Sequence, residues 1–132
     1  MTEAAIVDAS AMVDLLVGSP VATSVEARLR GRELHVPAHF DAEVLSALGR
    51  LQRAGEMTAR QVTARLQRVE AAPIRRHVLT SLLTDAWQLR HNLRLVDALY
   101  VALANQLDAS IVTTDAGLAA VTPAAHLVGD VE

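Results

Sequence analysis

The chain has 132 residues, 52% of them hydrophobic, and a formal net charge of −3, enough for one domain spanning 1–132 around its own core. It lacks cysteine, which excludes disulfide frameworks, thiolate metal sites and thiol nucleophiles and leads us to expect a cytoplasmic protein. All twelve basic residues are arginine, which excludes Schiff-base chemistry, a P-loop lysine and the lysine of a receiver domain.

Only Phe40, Trp87 and Tyr100 are aromatic, so a surface that binds nucleic acid by stacking on bases is not expected. No stretch approaches the roughly 20 consecutive apolar residues of a membrane span, and MTEAAIVDAS has no basic region ahead of a hydrophobic one. Ala4 to Val7 reads as a short buried strand closed by Asp8. Ser10 is placed to cap a helix through Met12, Val13, Leu15 and Leu16 that Gly18 and Pro20 stop. A second helix is expected from Val21 to Arg30, then a strand from Leu34 to Val36 that Pro37 terminates.

From Ala38 to Ala54 the residues Val44, Leu45, Leu48 and Leu51 form a helical stripe, which Gly55 closes. Thr58 and Gln61 make a capping box for a helix whose stripe is Ala59, Val62, Leu66 and Val69, the two helices resembling a hairpin. Beyond Pro73, Ile74 to Val78 predicts a strand and Leu79 to His91 a helix. LRLVDALYVALANQL is apolar nearly all round, as in a helix covered on most sides. Residues 109–114 predict another buried strand, followed by a short helix from Asp115 to Val121 and a last strand at Leu127 and Val128. This alternation implies an α/β fold, Rossmann-like, with a short parallel sheet between two helical layers. In such sheets ligands bind beyond the carboxyl ends of the strands, at a topological switch point.

Four acids sit where their surroundings would not select them. Asp8 follows AAIV and Asp115 follows IVTT, each at the carboxyl end of a buried strand; Asp97 opens the most apolar helix, and Glu43 lies at the start of another. Each alone is explained as a helix cap or an acid at a helix start, a contribution of about 1 kcal/mol. Gathered at one sheet edge they repel, and desolvation raises the cost further. A hard divalent cation, Mg²⁺ or Mn²⁺, neutralises such a group because it prefers oxygen donors. Zinc does not fit, since there is no cysteine and no histidine pair at ligand spacing.

The hydroxyls of Ser10, Thr113 and Thr114 stand beside Asp8 and Asp115, placed to fix carboxylate rotamers or meet a scissile phosphate; local turn capping is the plainer alternative. Asp14 is expected to face solvent and Asp41 to be an early helix acid. The histidines, among them His35, His39 and His77, show no spacing of a ligand pair or a nucleophile dyad. Seven arginines fall between Arg50 and Arg76; this reads as a solvated helical face unless an acidic centre lies nearby.

Taken jointly, IVDASAMVDLL, PAHFDAEVLSALGR and LVDALYVALANQLDASIVTTDAGL resemble the motifs of PIN-domain ribonucleases, in particular the VapC toxins of toxin–antitoxin pairs. The resemblance spans essentially the whole chain. It implies a PIN-type α/β/α sandwich and a Mg²⁺- or Mn²⁺-dependent endoribonuclease whose acidic constellation falls on Asp8, Glu43, Asp97 and Asp115, with supporting hydroxyls on Ser10 and Thr113. Ser46 departs from the pattern, since relatives often carry Asn there. Further implications are structured RNA as substrate (tRNA or ribosomal RNA loops), a 5′-phosphate and a 3′-hydroxyl as products, homodimers, and silencing by a VapB-type antitoxin. Beside that acidic centre Arg50 and Arg53 become candidate phosphate contacts. Two rivals belong to other classes: a catalytically silent Rossmann-like binding module, against which the intact acids count, and a metal-dependent phosphohydrolase, whose D-x-D is missing at Asp8-Ala9-Ser10.

Overall fold

The computed structural model describes residues 2–129. Strands β1 (Ala4–Val7), β2 (Glu33–Pro37), β3 (Ile74–His77), β4 (Ser110–Thr113) and β5 (Ala125–Leu127) form one sheet in the order β3-β2-β1-β4-β5, every pair parallel. The helices are α1 (Ala9–Val17), α2 (Ala22–Leu29), α3 (Phe40–Arg53), α4 (Ala59–Ala71), α5 (Leu83–Gln88), α6 (Leu95–Leu107) and α7 (Ala116–Val121). Right-handed crossovers put the helices leading out through β2 and β3 on one face and those leading back to β4 on the other. The result is the expected three-layer α/β/α sandwich.

Burial explains the strand sequences. Ala5, Ile6, Val7, Ile111 and Val112 are no more than 1% exposed, because β1 and β4 lie mid-sheet with helices on both sides, where apolar residues run without alternation. Helix α6 crosses β1, β2 and β4, and every residue from Ala98 to Ala104 is buried. The reading of that helix as covered nearly all round is borne out. The capping box of α4 also forms, Thr58 accepting from the Gln61 amide at 3.1 Å while Gln61 accepts from that of Thr58 at 2.8 Å.

Four local expectations are corrected. The cap of α1 is Asp8 rather than Ser10, since the Asp8 carboxylate accepts from the Ala11 amide. The buried stripe of α3 is Phe40, Val44 and Leu48, four residues apart, while Leu45 turns outward and is 56% exposed. The helix expected over Leu79–His91 is a 3₁₀ turn, Leu79–Leu82, followed by α5, which ends at Gln88. That turn seats Leu82 in the core, and its three-residue repeat keeps Leu79 on the same side. The last strand is Ala125–Leu127, with Val128 buried just beyond it.

Chain direction in the sheet fixes where chemistry can sit. From β1 the chain steps outward to β2 and β3, then returns to place β4 on the other flank of β1. The order reverses between β1 and β4, and their carboxyl ends deliver Asp8 and the Thr113–Asp115 segment to that point. Truncating Ile6 to Ala should cost about 3–4 kcal/mol in urea-denaturation experiments, against less than about 0.5 kcal/mol for Leu45→Ala on the surface.

Candidate active site

Asp8 is the anchor of the site. It is 5% exposed, and one carboxylate oxygen accepts from the Ser10 hydroxyl at 2.8 Å and the Ala11 amide at 2.9 Å. The other accepts from the Thr113 hydroxyl across the β1–β4 seam. Thr113, itself 0% exposed, accepts in turn from the Asp115 amide at 2.9 Å. Asp115 caps α7, taking the amides of Gly117 at 2.8 Å and Leu118 at 3.3 Å. Burial pushes the Asp8 carboxyl up from its ordinary value, three hydrogen bonds pull it back, and the nearby charge of Asp115 raises it further.

The other two acids come from helix starts that meet across the carboxyl edge of the sheet. Glu43 lies in the first turn of α3 and accepts at 2.6 Å from the hydroxyl of Tyr100, which is 2% exposed on α6. Asp97 lies in the first turn of α6 and takes the exposed Arg94 guanidinium at 3.0 Å. That contact is the main reason the Arg94 pKa is raised, with Asp115 and Glu43 adding to it from further away. Asp8, Glu43, Asp97 and Asp115 line one open cleft of about 390 Å³, together with Ser10, Asp14, Arg50, Arg94 and Tyr100.

The donor set suits a hard cation: every candidate ligand is a carboxylate or hydroxyl oxygen, and the charges of Asp115 and Glu43 reach across the cleft to Asp8 and Arg94. In this conformation each acid is held by its own donor, and among the described residues no group of three or more His, Asp or Glu side chains is placed to hold a metal ion. Arg94 is the built-in counter-ion.

Sequence reading missed four residues that contribute to this cleft. Tyr100 lay within the apolar run of α6, Arg94 was not singled out, and His39, which contacts the Val96 carbonyl at 2.9 Å, showed no ligand spacing. Asp14 was expected to face solvent; it is half-buried, lines the cleft and accepts from the Thr114 hydroxyl at 2.7 Å. Thr114 therefore fixes Asp14 and none of the four acids. In the arginine cluster, Arg65 is spent on the Leu16 carbonyl, Arg75 on Glu33 and Arg76 on Asp41. Arg50 lines the cleft and donates to Ser46 at 2.9 Å, whereas Arg53 is exposed one turn further along α3 and outside the lining.

Two outcomes follow. Asp8→Asn preserves a capping side chain and removes a charge that burial disfavours, so its melting temperature should equal or exceed wild type at pH 7. The sign is fixed by the raised pKa: the penalty is absent below the unfolded value near 3.8 and grows as pH rises through the folded one, so the gain should vanish in melts below that value. Arg94→Gln should tighten Mn²⁺ binding, read by calorimetry, by no more than about fivefold, the ceiling for a solvent-exposed ion pair.

Known proteins resemble this chain in sequence and in fold. Residues 5–122 fit the PIN domain family. Ribonuclease VapC3 of Mycobacterium tuberculosis is 53% identical over 128 residues, covering 96% of this chain and 93% of that protein. Among solved structures, a toxin–antitoxin complex from Klebsiella pneumoniae superposes with a TM-score of 0.66 at 14% identity, covering 96% of this chain and 99% of the other. Mycobacterium tuberculosis VapC20, described as a sarcin-ricin loop cleaving toxin, superposes with a TM-score of 0.65 at 18% identity, covering 88% of this chain and 93% of that one. A strand-end aspartate locked to the neighbouring strand, an acidic cleft at the switch point and an identity this high over nearly the full length agree: the chain belongs to the PIN-domain family, among its VapC-type ribonucleases.

Proposed function

We propose that the protein is a Mg²⁺- or Mn²⁺-dependent endoribonuclease toxin that hydrolyses phosphodiester bonds in structured RNA. The observation that carries this is Asp8: a buried carboxylate, held by three donors at the end of the central strand, whose cleft is shared by Glu43, Asp97 and Asp115. These four would hold the cation. When bound, it supplies an acidified water and charge compensation at the attacked phosphate.

The chain's own groups do the rest. Thr113 and Ser10 fix the Asp8 rotamer, and Tyr100 fixes that of Glu43. Arg50 and Arg94 line the same cleft and offer cationic contacts to the RNA backbone, with Arg53 extending that surface along α3. The water oxygen bonds to phosphorus as the bond from phosphorus to the 3′-oxygen breaks, leaving a 5′-phosphate and a 3′-hydroxyl. The Ser10 hydroxyl is committed to Asp8, so no side-chain nucleophile is required.

The descriptions of the relatives support a substrate and a partner. VapC20 is described as cutting the sarcin-ricin loop, which supports a ribosomal or transfer RNA loop as substrate here. The Klebsiella fold comes from a toxin–antitoxin complex, which supports silencing by a VapB-type antitoxin. The Arg94–Asp97 pair shows that this cleft accommodates a guanidinium, the group a basic antitoxin tail would insert. We place the protein in the cytoplasm as a homodimer; no helix among the described residues is long and apolar enough to cross a membrane.

Purified protein incubated with total tRNA and ribosomal RNA should cleave with Mn²⁺ or Mg²⁺ and stop with a chelator. Asp8→Asn and Asp97→Asn should each abolish cleavage while the fold is retained. Undiminished activity in both variants, or in chelator, would reject the assignment.

A further inference from the structure

The N-terminal ends of α3 and α6 are joined by two hydrogen bonds that run in opposite directions. His39, the residue before α3, approaches the Val96 carbonyl with Nε2 at 2.9 Å; a carbonyl only accepts, so Nε2 carries the proton. Tyr100, on α6, donates its hydroxyl to Glu43 on α3 at 2.6 Å. The His39 and Tyr100 rings are in tilted contact, with centroids 5.0 Å apart and planes 54° from parallel. Val96 directly precedes Asp97, and Glu43 lies one turn after His39. Each bond therefore ends on or beside one of the two acids that helices, rather than strands, contribute to the cleft.

We propose that His39 and Tyr100 form a two-bond latch between α3 and α6 that sets the separation of Glu43 and Asp97 and so positions both carboxylates for the cation.

Three features favour this over plain packing. Within the buried run Ala98–Ala104, the Tyr100 hydroxyl is the one polar side-chain atom, and a Phe would fill the core equally well; the hydroxyl is justified by its partner. Only one oxygen of Glu43 is used, since among the described residues Oε2 accepts no hydrogen bond and stays available to the cleft. Asp8 and Asp115 need no such device, because the β1–β4 pairing and the cap of α7 already fix them. Helix starts have no ladder to hold them together.

The inference rests on the cation-dependent reading above, and its test separates the two. Mn²⁺ affinity is measured by calorimetry on the full chain for wild type, Asp8→Asn, Tyr100→Phe, His39→Leu, His39→Gln and the Tyr100→Phe/His39→Leu double variant, with circular dichroism confirming the fold. Tyr100→Phe and His39→Leu should each weaken Mn²⁺ about tenfold, as loss of a group that orients a ligand does, with cleavage restored by raising Mn²⁺. His39→Gln keeps an N–H near the Nε2 position and should bind as wild type. The double variant should lose less than the product of the single losses, because one broken bond already frees the helices.

If Asp8→Asn loses Mn²⁺ while Tyr100→Phe and His39→Leu bind within twofold of wild type, the latch is wrong and the metal site stands. If the single losses multiply in full, the two residues act separately and the latch is wrong as one device. If wild type takes up no Mn²⁺, both readings fall together.

Discussion

The contact on which the rest depends is the Thr113 hydroxyl on the Asp8 carboxylate, across the seam between β1 and β4. It joins the two strands at the one place where the sheet changes direction. It also does three jobs that elsewhere fall to separate residues. It satisfies a carboxylate oxygen that burial would otherwise leave unpaired. It orients Asp8 toward the cleft while the other oxygen caps α1. Through the Asp115 amide it sets the start of the segment that delivers the next acid.

Around that joint, the cleft gathers like charges and keeps each tied to a local donor. Asp115 is held by helix amides, Glu43 by a phenol, Asp14 by a threonine and Asp97 by an arginine. Only the last of these is a full opposite charge, and it is the most exposed. On the proposed reading a ligand cation would compete with a weak, solvent-screened ion pair, while the neutral donors stay in place and hold the acids in position.

How much of this was written in the sequence follows from how local each feature is. Asp8 and Asp115 were legible because an acid closing an apolar run is anomalous within a few residues. The sheet and α6 were legible because burial imprints a period or its absence. Asp8 displaced Ser10 as the cap because the two compete for the same amides, and spacing alone does not rank them. Tyr100, His39 and Arg94 were not legible as site residues. Tyr100 sits in an apolar run and its partner is 57 positions away, a pairing fixed only when α3 and α6 meet. The arginine cluster shows the converse limit: density along the chain does not say which side chains are already spent on Leu16, Glu33 and Asp41.

The same distinction separates two kinds of acid in the cleft. Those at strand ends inherit their precision from a hydrogen-bonded ladder in which Ala5, Ile6 and Val7 are each paired with β4, so their placement is as rigid as the core itself. Those at helix starts depend on side-chain contacts between layers that share no backbone pairing. A site assembled from both therefore has a stiff half and an adjustable half. On the proposed reaction, adjustability belongs where Arg94 would release Asp97 and a substrate phosphate would enter, and Glu43 and Asp97 are the acids on that side. Stiffness belongs at Asp8, where a change in rotamer would leave a buried charge without donors, a loss larger than any exposed pair in the cleft could offset.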